Sequence, residues 1–434
     1  MRIITSHPWI FVGTLCFCVW TTLLDGSADE EPLEIDIASM LDVDSPANRY
    51  WDQPLHDPFT QFRAELEGGK VTLERSSERA FVKSLLDALK VPVSSQMLVY
   101  STTSLQLSRI SPSNPRALYF SDDIYIGWVP GGRIEIASID PDLGCIFFIF
   151  DVPRDDDQPL QIERSNRCMN CHAGAETRDV PGINIKSVVP GPTGGSLDAF
   201  RINETGHTIP LSERFGGWHL TGNHGIEKHW GNLIGKLWQG ELSTTPLNPG
   251  ERFEWSRYLV PTSDILAHMV HEHQAGFVNR VVEGTYLARA FLHISKESTD
   301  LTSDQARILD QHADIIVRYL LFAEEAALPP SGIQPDPAYA EAFLSKRLPG
   351  QNDTALRDLD LQTRMFKFRC SYMIYSRLFH SMPSPLMARV QKRIAKALQT
   401  ENPDPAFAYL PPNEKDAIRA ILEDTLPALG ITRE

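Results

Sequence analysis

The chain has 434 residues, with 41 Lys plus Arg against 56 Asp plus Glu, for a formal net charge of −15. Apolar residues at 42% and charged residues at 22% are globular proportions, so the chain can bury a substantial core and is not a disordered tract. The acidic balance excludes a protein whose work is to coat nucleic acid or anionic lipid, because that takes a cationic field.

Residues 1–28 read as a signal peptide. Arg2 gives a positive start, Trp9–Leu24 is a mostly apolar run, and Gly26-Ser27-Ala28 supplies small residues ahead of Asp29 and Glu30. The run is shorter than the roughly 20 residues that span a bilayer; retention as an N-terminal anchor is the alternative. The expectation is an exported protein, periplasmic or secreted, with membrane contact only if this segment is retained. Beyond it lie Cys145, Cys168, Cys171 and Cys370. An oxidising compartment would allow a Cys145–Cys370 disulfide, although the apolar neighbours Ile146, Phe147 and Phe148 suggest a Cys145 that is simply buried.

Residues 29–95 form an N-terminal acidic segment and helix: Asp29 to about Gly69, dotted with Pro46, Pro54 and Pro58, is expected to wrap over the surface, and Leu73–Leu89 has helical spacing. Its apolar stripe is Phe81, Leu85, Leu86 and Leu89. Residues 96–155 read as an antiparallel meander of five short runs, Met97–Thr102, Ala117–Phe120, Ile124–Val129, Arg133–Ile139 and Cys145–Val152. Gly131-Gly132 and Asp140–Gly144 supply turns between the last three. Residues 156–261 are loop-rich, with Pro190–Gly195, Gly216-Gly217, Gly222, Gly225 and Gly231, and they contain five histidines: His172, His207, His219, His224 and His229. Residues 262–434 turn helical. Ser263 is the expected N-cap of a helix reaching about Ile294, and Ser303 the expected N-cap of one reaching Ala327. Pro337–Leu348, Ala355–Leu378, Leu386–Gln399 and Asn413–Leu426 follow as further helices. The predicted fold class is therefore α+β, with a β-rich N-terminal half, a loop-rich middle and an α-helical C-terminal half.

The residues that carry chemistry are Cys168-Met169-Asn170-Cys171-His172. A Cys-x-x-Cys-His run is the pattern for covalent haem attachment, and chance alone would produce it in about one in 400 chains of this composition. Two thiols at this spacing add to the two vinyl groups of a haem, and the adjoining histidine lies under the iron as proximal ligand. In these five residues the chain resembles the c-type cytochrome superfamily. A small carrier of that superfamily has a methionine ligand downstream in one compact helical domain, whereas here the methionine after Met169 is Met269. Three longer stretches, residues 216–225, 358–367 and 370–376, are similar to segments of large exported bacterial haem proteins, a group without an assigned function. The resemblance implies one covalent haem c held by Cys168 and Cys171, with His172 on the iron and 156–261 as the haem-binding segment. A structural zinc site completed by His207 or His219, or a bare dithiol or disulfide, are the competing readings of the same cysteines.

A ligand on the other face of the iron would separate electron transfer from catalysis at an open site. His224, between Asn223 and Gly225, is the first candidate, with His219, His229 and His273 as alternatives. His273 belongs to His268-Met269-Val270-His271-Glu272-His273, where His268, His271 and Glu272 share a helix face that could hold a second metal or serve as a hydrogen-bonded polar patch. Trp218, Trp230, Trp238 and Trp255 are expected mainly as core, with one or two touching haem. Arg164 and Arg167 are candidate propionate partners, with solvent exposure the alternative. No nucleotide-binding glycine fingerprint or Gly-x-Ser-x-Gly is present. The expected function is one-electron transfer to a redox partner protein in the cell envelope. A haem-dependent, peroxidase-like oxidoreductase and a redox-sensing or assembly protein are the alternatives.

Overall fold

A seven-stranded antiparallel sheet organises the molecule in the computed structural model, which describes residues 36–153, 159–199, 205–296 and 298–430. The expected signal peptide, residues 1–28, lies outside the described residues. The five runs of the meander become β1 (Met97–Val99), β2 (Arg116–Phe120), β3 (Ile124–Trp128), β4 (Arg133–Asp140) and β5 (Gly144–Asp151). The chain then adds β6 (Glu163–Arg164), a hairpin of β7 (Val188–Pro190) and β8 (Ser196–Ala199), β9 (Trp218–His219), and a hairpin of β10 (Leu233–Trp238) and β11 (Glu241–Pro246). The two hairpins give regular structure to a stretch expected as loops. In the main sheet the order is β6-β5-β4-β3-β2-β1-β9, so the late strands β6 and β9 close its two edges.

Alternation of side chains gives this sheet two faces. The first carries Tyr119, Ile126, Trp128, Ile134, Phe148 and Phe150 into the main apolar core. Two helices cover it, α2 (Pro58–Glu67) and α3 (Glu78–Ala88), preceded by the short α1 (Ile37–Leu41). Within the stretch expected to wrap over the surface, α2 buries Phe59 and Phe62 completely or nearly so. Its start was legible, because Asp57 caps the N–H groups of Phe59 and Thr60 and Pro58 occupies the first turn. The helix expected over Leu73–Leu89 is α3, which starts at Glu78 with Ser77 capping Ala80; Phe81, Leu85 and Leu86 of the expected stripe are buried together with Val82, while Leu89 is the partly exposed C-cap.

The second face is covered by the helical half. After the short α4 (Met169–His172) comes α5 (Ile265–Ile294), thirty residues most of which are buried, polar ones such as His268, His271, His273 and Gln274 included, as in a helix packed between layers. Tyr125 donates to the Gln274 side chain at 3.0 Å, and Tyr286 donates to the Leu143 carbonyl at 3.0 Å. These contacts lay α5 over the end of the sheet that carries the 140–144 turn. Outside it pack α6 (Ser303–Leu320), α7 (Pro337–Leu344), α8 (Arg377–His380), α9 (Ser384–Ala397) and α10 (Pro412–Thr425). Residues 37–434 belong to one compact unit, so the segments 96–155, 156–261 and 262–434 pack as parts of one body. No helix among the described residues is long and apolar enough to cross a membrane.

Three expectations need correction. The N-cap of α5 is Asp264, whose carboxylate accepts from Leu266 N at 3.0 Å, while Ser263 turns inward to the His219 carbonyl. The next helix is capped by Thr302, which accepts from Gln305 N, and not by Ser303, and it stops at Leu320 instead of Ala327, because Phe322 and Glu324 take left-handed backbone angles. The helix expected over Ala355–Leu378 does not form: a 3-10 turn, Tyr372–Tyr375, leads into α8, and residues 355–371 are not helical. There Asp358 accepts from Ala355 N and Asp360 from Gln362 N and Thr363 N, and these local bonds compete with the helix ladder and turn the chain into a bridged loop.

Candidate functional site

The Cys168–His172 run lies just beyond β6, at the edge of the sheet. Its first cysteine precedes α4, and one turn of α4 carries Cys171 and His172. Cys171 is exposed and Cys168 is half-buried; both are free thiols, and partial burial raises the Cys168 thiol above its ordinary pKa. Cys145 and Cys370 are also free and fully buried, so the structure holds no bridge between them.

His172 is held from two directions. Its Nδ1 lies 2.9 Å from the Gly182 carbonyl, and Gly182 N donates back to the His172 carbonyl at 2.8 Å. A carbonyl can only accept, so Nδ1 carries the proton and Nε2 keeps its lone pair. That Nε2 makes no hydrogen bond among the described residues and is not enclosed. The ring packs on Phe147 of β5 at 4.6 Å between centroids, which places it over the second face of the sheet. Burial lowers its pKa, and the charge of Arg116 adds to that effect, so the ring is neutral at pH 7.

The sheet beneath has a gap in its side-chain cover. Register aligns Phe120, Tyr125, Ala137 and Phe147 as successive cross-strand neighbours, and Leu118, Gly127, Glu135 and Ile149 as the next row. Ala137 sits on a central strand yet is partly accessible, as is Leu118. Small residues and exposure at the centre of a sheet mark space that no side chain fills. Arg116 borders this space, with its guanidinium over Gly127 and 2.9 Å from Glu135, and its Nε is buried without a partner.

The candidate distal histidines fall in different places. His219 pairs with Leu98 on β1 and so points into the first face, between Tyr100 and Phe253 at 4.4 and 5.1 Å. It is on the opposite side of the sheet from His172. His224 and His229 stand against each other at 4.9 Å near the start of α5, and His224 Nδ1 is taken by Ile226 N. The Phe215 ring lies between His229 and His268 at 6.4 and 5.9 Å, so the structure does not bring this pair to His172. His273 uses both nitrogens, Nδ1 with His207 at 2.7 Å and Nε2 with Ser371 at 2.7 Å, among Tyr319 and Phe322. It has no nitrogen left for iron.

His271, expected to belong to a second metal site or a hydrogen-bonded polar patch, is the histidine of α5 that packs on the second face of the sheet. It packs on Phe120 and Tyr125 at 5.3 and 5.4 Å and faces Trp218 at 6.5 Å. Burial lowers its pKa to about 3. His268, Glu272 and His271 do not form a metal centre: His268 Nε2 is engaged by Ser263 Oγ and the His219 carbonyl, and Glu272 faces Arg214 at 3.6 Å. Among the described residues the one group of three ligand types close enough to share an ion is His56, Asp140 and Asp142. Asp140 there is committed to the backbone N–H groups of His56, Asp142 and Leu143, a turn cap rather than a site. Neither His207 nor His219 therefore completes a zinc site with Cys168 and Cys171.

Arg164 is not free to meet a propionate. It donates to the Tyr50 and Trp51 carbonyls at 2.7 and 3.3 Å and stacks over both rings. Arg167 is exposed. Trp218 borders the space near His271, whereas Trp255 packs on Phe253 and Trp238 is 67% exposed on its hairpin. No family model matches the chain, and no curated protein or solved structure matches it.

Proposed function

We propose that the chain is an exported mono-haem c-type cytochrome that transfers single electrons to and from a protein partner in the cell envelope. The observation that carries this reading is the state of Cys168–His172. Two free thiols flank a turn of helix, and the adjoining imidazole has its proton fixed on Nδ1 by Gly182, with Nε2 unpartnered and accessible. This donor set fits a haem better than zinc, since among the described residues no further cysteine, histidine or carboxylate gathers round the two thiols.

Cys168 and Cys171 would hold the group by thioether bonds, and His172 would supply the proximal nitrogen. When bound, the haem supplies a one-electron couple at its iron. The chain positions it: Gly182 orients His172, α5 and the sheet exclude water from one side, and Arg116 offers a positive charge at the border of the open space.

The absorption spectrum tests this function, recorded oxidised and reduced after expression with a c-type maturation system. A low-spin reduced spectrum indifferent to carbon monoxide is expected of a carrier. A high-spin form that binds carbon monoxide would favour the oxidoreductase reading instead.

A further inference from the structure

We propose that His271 is the second axial ligand of the haem iron, reaching it from α5 across the open part of the sheet. This rests on haem attachment at Cys168 and Cys171.

The sheet register makes the case. His172 packs on Phe147 and His271 packs on Tyr125, and both of those residues are direct cross-strand partners of Ala137. The two imidazoles therefore stand on either side of one small side chain. Phe147 and Tyr125 are two strand spacings apart, about 10 Å, which leaves room for a flat macrocycle on edge between the rings. Its floor would be Ala137 and Leu118, both partly accessible, with the Arg116 guanidinium over Gly127 and Glu135 at the border.

His271 is also chemically prepared for ligation. It is only 5% exposed, yet neither ring nitrogen makes a hydrogen bond among the described residues. Neither nitrogen belongs to the enclosed unpartnered atoms, so the small exposed part of the residue includes them. A buried imidazole normally satisfies its nitrogens with protein, as His268 and His273 do on the same helix. His271 instead is held by the rings of Phe120, Tyr125 and Trp218, of which Tyr125 is the direct cross-strand partner of Ala137. By contrast, His219 faces the opposite side of the sheet, and its strand lies five strand spacings from β5, on the order of 24 Å.

The test uses the full chain, matured with haem, in wild-type form and as His271→Ala, His271→Gln, His219→Phe and His224→Ala. Covalent haem is first confirmed in each by denaturing electrophoresis. The wild type is expected to be low-spin in both oxidation states, with the near-infrared charge-transfer band of two imidazoles on ferric iron. Both His271 variants should retain covalent haem, turn high-spin and bind carbon monoxide when reduced; added imidazole should restore the low-spin form of His271→Ala. His219→Phe and His224→Ala should keep the wild-type spectrum. A low-spin, bis-imidazole spectrum that survives in His271→Gln, or a high-spin wild type, overturns the assignment while leaving haem attachment intact. If His271→Ala does not accumulate, the Gln variant and the wild-type near-infrared band decide. A wild-type chain without covalent haem overturns the underlying reading as well.

Discussion

His172 and Gly182 clasp each other through two hydrogen bonds, Nδ1 to carbonyl at 2.9 Å and N to carbonyl at 2.8 Å. Gly182 is pinned in turn by α5. The Asn279 side chain accepts from Ile183 N at 2.8 Å and donates to the Ile183 carbonyl at 3.0 Å, and a methyl group on Gly182 would run into that amide. Gly182→Ala is therefore expected to destabilise the fold by about 1–3 kcal/mol through overpacking. In the haem-loaded protein it should also shift the reduction potential, because the carbonyl that sets the basicity of His172 moves. Denaturant melting and potentiometry on the same samples check the two effects, and an unchanged potential would detach Gly182 from the iron.

Arg116 and Glu135 form a mostly buried pair at 2.9 Å, and Ser104 also donates to Glu135 at 2.8 Å. Arg116→Gln removes the positive charge that borders the proposed haem space. The expected outcome is a lower reduction potential, since a nearby cation favours the reduced iron. Loss of one partner from a charge-assisted pair should also cost about 1–3 kcal/mol of stability. A potential that rises would place the charge elsewhere.

Asp264 carries the start of α5 and ties it to the chain before α7. Its carboxylate accepts from Leu266 N at 3.0 Å and from Asp336 N at 2.7 Å. Asp264→Ala leaves both donors unmet and should cost roughly 2 kcal/mol or more. Asp264→Asn keeps an acceptor and should cost clearly less. Chemical denaturation of the two variants gives the comparison, and equal losses would mean that the cap is not what matters.

Glu325 predicts a pH dependence. Burial pushes its pKa from the ordinary 4.5 up to about 7, partly offset by the hydrogen bond from Met365 N and by Arg369, Arg364 and Arg214. The unfolded chain then loses this proton before the folded one does. The contribution to stability is full below about 4.5 and is lost as pH rises through about 7. Glu325→Gln keeps the acceptor for Met365 N and removes the proton. Its stability advantage over wild type should be absent at pH 4 and grow toward pH 8; a constant difference would contradict the shift.

Much of the fold was legible because its signals are local. The β1–β5 meander follows from apolar runs separated by Gly131-Gly132 and Asp140–Gly144, and the C-terminal end of α5 was read at the correct residue. Residues 355–376 were misread because apolar spacing outweighed Asp358 and Asp360, whose carboxylates bond their own backbone. The Cys168–His172 run was evident from composition and spacing alone, but its surroundings were not. Which of His271 and His273 faces the sheet depends on the orientation of a helix that is buried over most of its surface, polar residues included, and so has no single apolar stripe to read. Strand parity would have set His219 apart, yet β9 is two residues long and pairs with a strand more than a hundred residues earlier. Such a pairing leaves no local mark.

The central claim is that Cys168 and Cys171 carry haem covalently, and the most direct measurement is the intact mass of the denatured chain after expression with a c-type maturation system. The account predicts the mass of the chain plus one haem, haem staining that survives denaturing electrophoresis, and loss of both in Cys168→Ser/Cys171→Ser. A chain that matures to the bare polypeptide mass, or that releases its haem on denaturation, would contradict it.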